Sequence, residues 1–426
     1  MIVPQSVNAQ SDFSPLSRTG SGGTMVSGDR SNKITITFKK DRCLYARSTW
    51  TSCSLCVDSC PSGAISMDGK KRLPGVDLGR CMQCGQCLSA CPLEAFESSS
   101  FSERQLLSRI EPEKDIRLHC FVPRGEYASL AAGVSTYQLG TCLAALTPGA
   151  FVELSLNRMC ELSTDQCSQC ALFSSLGQTL ECNIGLAHYL LIDWGKEKNL
   201  KETTALFLAQ QEEVDHWNKV SVNEKPDTGI TGSYAMRQSI RSLFHGRKRK
   251  PQNGKRQLPL RAKSRHVPTW RIRLKSLWEE VSEERGSTSC PWPELVVDEN
   301  KCRACGICMQ LCPTGSISHY LGEGLFTYSF TPGTCVNCGL CIVSCATEAL
   351  SRDYGSFLHP FEEREESVRP ALSCSRCGLP VLDGVEGQRC YLCLSEPDPR
   401  PFIERVKKQL SGITKAERAR GGTVKK

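Results

Sequence analysis

Twenty-seven cysteines in 426 residues fall into tight runs, and their spacing constrains the fold more than any other feature of the chain. Four runs begin at Cys43 (CLYARSTWTSCSLCVDSCP), Cys81 (CMQCGQCLSACP), Cys302 (CRACGICMQLCP) and Cys335 (CVNCGLCIVSCA), and a looser group, CSRCGLPVLDGVEGQRCYLC, starts at Cys374. Disulfide frameworks belong to small secreted domains, whereas C-x2-C clusters in a chain of two to four domains are a metal-binding pattern. A hydrophobic content of 39% leaves enough apolar material for a sizeable core.

The C-x2-C-x2-C-x3-C-P run is an iron-sulfur signature in which the fourth cysteine crosses over to a second cluster, so such runs work in pairs. Cys81, Cys84, Cys87 and Cys91 with Pro92, and Cys302, Cys305, Cys308 and Cys312 with Pro313, match in full. In the run of Cys335, Cys338, Cys341 and Cys345, Ala346 replaces the proline; the proline shapes a turn and donates no ligand, so the cluster is expected to survive. The first run keeps Cys53, Cys56, Cys60 and Pro61 but places nine residues after Cys43, which preserves the count of four thiolates while reshaping their surroundings. Zinc takes thiolates from paired knuckles and has no use for three close cysteines plus a distant fourth.

These blocks resemble the dicluster ferredoxin family over residues 43–96 and 302–350. The resemblance implies four [4Fe-4S] clusters. Their ligands would be Cys43, Cys53, Cys56 and Cys91; Cys81, Cys84, Cys87 and Cys60; Cys302, Cys305, Cys308 and Cys345; and Cys335, Cys338, Cys341 and Cys312. The segments SGAI, LEAF, TGSI and TEAL after the fourth cysteines resemble the family's return strand, and Gly85, Gly306 and Gly339 suit a backbone that wraps closely and aims N–H groups at sulfur. Arg47, inside the insert, is either a cation that raises a nearby potential or an arginine on a solvated loop.

Cys374, Cys377, Cys390 and Cys393 form C-x2-C-x12-C-x2-C, which resembles a zinc ribbon and suits a closed tetrahedral zinc site, with a rubredoxin-like single iron as the alternative. Between the ferredoxin-like blocks lie Cys120, Cys142, Cys160, Cys167, Cys170 and Cys182. Cys120, Cys142, Cys167 and Cys170 could meet at one end of a small α/β sheet, where strand ends and helix N-termini converge, as a further cluster or a redox-active thiol pair. Buried free cysteines are the plainer alternative. This layout resembles the small iron-sulfur subunit of methanogen-type hydrogenase and heterodisulfide reductase complexes, which implies a segment that receives electrons from neighbours.

The expected class is α+β, with two ferredoxin-like dicluster modules, a small α/β middle domain, a basic linker and a C-terminal zinc-ribbon-like knuckle pair. The divisions are a disordered leader at 1–33, a first module at 34–112, the middle domain at 113–221, a basic linker with a helix at 222–285, a second module at 286–360, the knuckles at 361–400 and a basic tail at 401–426. Periodicity predicts a strand from Lys33 to Lys39 and helices over Tyr127–Leu139, Pro148–Leu156, Ile184–Trp194, Lys196–Trp217 and RIRLKSLWEEVSEE after the linker. The linear order leaves the distance between the two modules unfixed.

Charge is unevenly placed. Fourteen Lys and Arg with no acidic residue lie between Arg237 and Lys275, and eight basic against two acidic residues follow from Glu404, although the chain's net charge is only +8, so the remainder is acidic. No apolar leader opens the chain and no stretch is long enough to span a membrane, which makes a cytoplasmic protein without membrane insertion the expectation. No radical S-adenosylmethionine, phosphate-loop or dinucleotide motif is present. A single-electron carrier serving a partner oxidoreductase, of molybdopterin or hydrogenase type, is the expected function, without catalysis of its own. The alternatives are a nucleic-acid-associated iron-sulfur and zinc protein using the basic stretch, and an assembly factor or enzyme using the middle-domain cysteines.

Overall fold

The computed structural model of the chain describes residues 36–48, 51–111, 114–121, 134–204, 256–257, 265–280, 292–384 and 387–394. Cysteines every three residues leave no room for long elements, and the first block is built from short ones. Strand β1 (Ile36–Phe38) runs antiparallel to β4 (Phe96–Ser98), and β2 (Ile65–Asp68) forms a hairpin with β3 (Leu73–Val76). Between them lie α1 (Leu44–Arg47), α2 (Leu55–Asp58) and α3 (Gln86–Ala90), and α4 (Glu103–Leu107) follows.

The middle segment is a parallel four-stranded sheet in the order β6-β5-β7-β8, made of β5 (Ile116–His119), β6 (Ser135–Gln138), β7 (Cys160–Leu162) and β8 (Leu200–Glu202). It is covered by α5 (Pro148–Ser155) and α6 (Phe173–Ile192). Thr147 caps α5 by accepting from the Ala150 N–H at 3.3 Å, with Pro148 in the first turn, where a missing N–H costs nothing. After β9 (Arg256–Gln257) and α7 (Thr269–Glu280), the second block repeats the plan of the first. Strand β10 (Trp292–Val297) pairs with β13 (Leu350–Gly355), β11 (Ile317–Gly322) with β12 (Leu325–Phe330), and α8 (Ile307–Leu311) and α9 (Leu340–Val343) follow cysteines. Glu323 and Gly324 both have positive φ, the two-residue turn that matches strand twist. Strands β14 (Arg364–Ser373) and β15 (Pro380–Leu382) extend this hairpin into the sheet β15-β14-β12-β11-β9, and α10 (Tyr391–Leu394) closes the described chain.

Helix α7 joins all three parts. Its N-terminal N–H groups would lack partners, and the Glu94 carboxylate of the first block takes them, accepting from Thr269 N at 2.8 Å, Trp270 N at 3.4 Å and Thr269 Oγ1 at 2.7 Å. Burial alone would push the Glu94 carboxyl up, but the bonds from His266 and Thr269 outweigh it and hold it below the usual range. Arg273 pairs with Glu153 of α5 at 2.9 Å and with Glu103 of α4, while Arg271 donates to the Gly333 carbonyl of the second block at 2.8 Å. Gly149 is required where α7 crosses α5, because a Cβ there would lie 2.9 Å from the Trp270 ring. Trp278 fits between Trp194 and Trp292, with ring centroids 4.9 and 5.6 Å away, and donates its Nε1–H to the Leu358 carbonyl at 2.9 Å.

The two ferredoxin-like blocks touch. Leu44 and Leu93 of the first pack with Ile307, Leu311, Val336 and Leu340 of the second in one apolar cluster that includes Cys338. Two expected helices are corrected. Residues 135–138 of the Tyr127–Leu139 segment form β6, because Ser-Thr-Tyr-Gln gains a parallel partner in β5; residues 127–133 lie outside the described residues. In the Lys196–Trp217 segment only a short 3-10 turn, Glu197–Asn199, is helical, and Leu200 is drawn into the core as β8 pairs with β7; residues 205–217 lie outside the described residues. The predicted strand at Lys33–Lys39 is present over Ile36–Phe38, with residues 33–35 outside the described set. The leader, the tail and all of 222–264 except 256–257 lie outside it too.

Trp278→Ala should lower stability by about 3–5 kcal/mol, as for other buried aromatic truncations. Urea unfolding of the metal-loaded chain beside wild type measures it, and a loss below 1 kcal/mol would show that α7 does not bind the parts together.

Candidate metal centres

Three of the four long runs share an unusual backbone. The residue before the second cysteine and the glycine after it both have positive φ: Gln83 at 58° and Gly85 at 76°, Ala304 at 48° and Gly306 at 73°, Asn337 at 52° and Gly339 at 66°. Two left-handed residues flanking a cysteine curl the chain into a concavity and turn N–H groups inward, a geometry suited to an anion. The irregular first run lacks it: Ser54, at the glycine position, has φ −126°. Every run does have a left-handed residue three positions after its last cysteine, at Gly63, Glu94, Gly315 and Glu348. The chain turns there and sends the next strand back across the block.

The structure brings together the cysteines that the crossover rule groups. Cys43, Cys53, Cys56 and Cys91 wall one cavity with Leu44, Met67 and Phe96. Cys60, Cys81, Cys84 and Cys87 wall a second, and Cys312, Cys335, Cys338 and Cys341 a third. Cys302, Cys305 and Cys308 lie within electrostatic reach of one another and of Cys345. Backbone N–H groups point at these sulfurs: Ala95 to Cys91 and Ala349 to Cys345, each at 3.3 Å, and Asn337 to Cys335 at 3.4 Å. Ala349 reaching Cys345 as Ala95 reaches Cys91 shows that Ala346 leaves the turn intact. Converging sulfurs in apolar cavities with N–H groups aimed at them fit iron-sulfur clusters.

Sequence reasoning missed a set of hydroxyls. Ser62, Thr314 and Thr347, each two residues after a fourth cysteine, lie 3.7, 3.6 and 3.6 Å from Cys60, Cys312 and Cys345. The recurring Ser or Thr at that offset was the available signal.

The nine-residue insert is pinned in place. Arg72 Nη2 donates to the carbonyls of Tyr45, Ser48 and Thr51 at 2.9, 2.7 and 3.2 Å, and its guanidinium stacks 4.1 Å from the Tyr45 ring. Cys43 is thereby buried beside its group. Arg47, also in the insert, is buried, donates to the Asp41 carbonyl at 2.7 Å, and lies within electrostatic reach of Cys312 and Cys338 in the other block.

Cys374, Cys377, Cys390 and Cys393 make a tighter group whose sulfurs all lie within 4.8 Å of one another. Cys377 is 3.5 Å from both Cys390 and Cys393. A single tetrahedral ion with metal–sulfur bonds of about 2.3 Å sets its sulfurs roughly 3.8 Å apart, so this quartet fits one metal ion. N–H groups of Cys390 and Arg376 reach Cys374 Sγ at 3.2 and 3.5 Å.

In the middle domain, Cys120 follows β5, Cys142 follows β6, and Cys167 and Cys170 follow β7, all at the carboxyl edge of the parallel sheet. Cys142 lies within electrostatic reach of Cys120, Cys167 and Cys84. Its N–H donates to the Cys84 carbonyl at 3.1 Å, and Thr141 Oγ1 donates to the same carbonyl at 2.6 Å. Gly85 is needed at this contact, since a Cβ would fall 2.4 Å from Thr141 Oγ1. Cys160 sits at the opposite end of the sheet, fully buried, and Cys182 lies on α6.

A 4Fe-4S dicluster domain model matches residues 51–95, and a 4Fe-4S binding domain model matches residues 295–318. Cys43 and the run from Cys335 to Cys345 lie outside both matches. None of the curated proteins matches the chain. Among the described residues no helix is long and apolar enough to cross a membrane.

Burial pushes the thiols of Cys53, Cys87, Cys142 and Cys338 up to about 12 and those of Cys91, Cys305 and Cys335 up to about 11. Such thiols are protonated at neutral pH and must lose their protons to become ligands. Loading with iron and sulfide should therefore release protons and strengthen as pH rises from 7 to 8.5. Anaerobic reconstitution in weakly buffered solution reads the release directly, and pH-independent loading without acidification would contradict it.

Proposed function

We propose that this multi-domain dicluster ferredoxin-type protein relays single electrons between a donor and a partner oxidoreductase through four [4Fe-4S] clusters. The observation that carries the reading is the contact between the two modules. Leu44 and Leu93 meet Val336, Cys338 and Leu340, so all four cysteine groups belong to one packed body. The thiolates of Cys43, Cys53, Cys56 and Cys91 hold the first cluster, those of Cys60, Cys81, Cys84 and Cys87 the second, those of Cys312, Cys335, Cys338 and Cys341 the third, and those of Cys302, Cys305, Cys308 and Cys345 the fourth. A bound [4Fe-4S] cluster supplies one-electron redox chemistry. The surrounding apolar side chains exclude water, and the N–H groups of Ala95, Asn337 and Ala349 stabilise sulfur charge.

Cys120, Cys142, Cys167 and Cys170 extend the same relay as a further cluster or redox-active thiol site, joined to it through the Cys142–Cys84 backbone bond. Cys374, Cys377, Cys390 and Cys393 hold a structural zinc that stiffens the β14–β15 end of the second module. The partner is a redox protein of molybdopterin or hydrogenase type, in the cytoplasm. Against a nucleic-acid role, Arg271 and Arg273 at the end of the basic stretch are engaged with Gly333, Glu103 and Glu153 inside the protein.

Anaerobically purified protein should carry about sixteen iron atoms in its ferredoxin modules, four per cluster. Cys43→Ser should lose about a quarter of them, whereas Cys160→Ser, away from every cysteine group, should lose none. Four irons or fewer in the wild-type chain would sink the reading.

A further inference from the structure

The two modules carry the same hairpin in the same register, but one cross-strand pair differs in kind. Counting two residues along from Ile65↔Val76 in β2–β3 reaches Met67↔Pro74, and the same step from Ile317↔Phe330 in β11–β12 reaches His319↔Tyr328. Met67 lines the cavity of Cys43, Cys53, Cys56 and Cys91, so this pair of positions looks onto the cysteines. In the second module it places an imidazole and a phenol there.

Both are buried, with ring centroids 5.1 Å apart. His319 Nε2 is 3.5 Å from Cys308 Sγ. Towards a cluster-bound thiolate, which carries no proton, the Nε2–H is the donor. The Tyr328 hydroxyl has no hydrogen-bond partner among the described residues. It lies within electrostatic reach of Cys302 and Cys308 from one group and of Cys312 and Cys341 from the other. A buried O–H requires an acceptor; no cysteine sulfur lies within hydrogen-bond distance of it, so the sulfur of a cluster held by these cysteines would have to supply one. Cations flank both modules, with Arg72 near Cys43 and Arg352 near Cys335 and Cys338. The imidazole and phenol have no counterpart at Met67 and Pro74.

Hydrogen bonds to cluster sulfur stabilise the added electron and raise the reduction potential. We propose that His319 and Tyr328 make the second module the electron-accepting end of the chain, an inference that rests on the relay reading above. One electron leaves the first module's clusters, which are oxidised by one equivalent, and one arrives on the second module's, which are reduced by one; no bond is made or broken and no proton moves. A low-potential one-electron donor refills the first module, and a one-electron-accepting redox protein drains the second. The two side chains act as positioning groups for the electron and touch no substrate.

The test is a redox titration of the fully loaded, full-length chain followed by electron paramagnetic resonance. Two clusters should titrate above the other two. Tyr328→Phe and His319→Met should lower the upper pair, with at least a tenfold fall in the equilibrium constant for transfer between modules, about 59 mV for a one-electron couple. Tyr328→Phe removes a single oxygen and keeps the packing, so it decides the matter if His319→Met fails to fold. Met67→His should raise a potential of the lower pair. Four clusters titrating together, or an upper pair unmoved in Tyr328→Phe, overturns the polarity while leaving the relay standing. A wild-type chain that takes up no clusters overturns both.

Discussion

Sulfur held in apolar cavities is the constraint from which the rest of this structure follows. Four thiols that must converge on one space cannot sit on a long helix or strand, so both ferredoxin-like blocks consist of elements of three to six residues joined by left-handed turns. Such elements bury little apolar surface by themselves. The blocks therefore lean on each other through Leu44, Leu93, Val336 and Leu340, and on the α/β sheet through Thr141 and Gly85.

Helix α7 supplies what short elements cannot. Its twelve residues carry Trp270, Leu274 and Trp278 into the core of the middle domain. Its N-terminal N–H groups donate to the Glu94 carboxylate, while Arg271 reaches Gly333 of the second block and Arg273 reaches Glu153 of α5. Glu94 serves twice. Its left-handed backbone turns the chain after Cys91, and its side chain, thrown outward by that turn, meets the helix. Glu348, at the matching position of the second block, makes the turn as well.

The cysteine runs were legible because spacing alone dictates which sulfurs can share a metal. Gly85, Gly306 and Gly339 suit the left-handed turns they make and Asn337 tolerates its own, whereas Gln83 and Ala304, equally left-handed, are residue types that give no such signal. The helical pattern worked for α5, which is buried nearly all round, and for α7, where Trp270, Leu274 and Trp278 line one face. It failed at β6, which is set by pairing with the preceding strand β5 and not by its own pattern, and at β8, where one buried leucine decides the fate of a polar stretch. The contact between modules was invisible in the linear order, since α7, placed beside a basic connector, gives no sign from its charges that three of its side chains are core. The hydroxyls at Ser62, Thr314 and Thr347 were present as a periodic offset that becomes meaningful only once the sulfur lies beside it.

The seam between the modules also makes the two halves of the chain dependent on each other. Cys338 is only 7% exposed, enclosed by residues from both halves, and the Arg47 guanidinium of the first lies within electrostatic reach of Cys312 and Cys338 in the second. A change at Leu44 or Leu93 in one half therefore alters the surroundings of a cysteine group in the other.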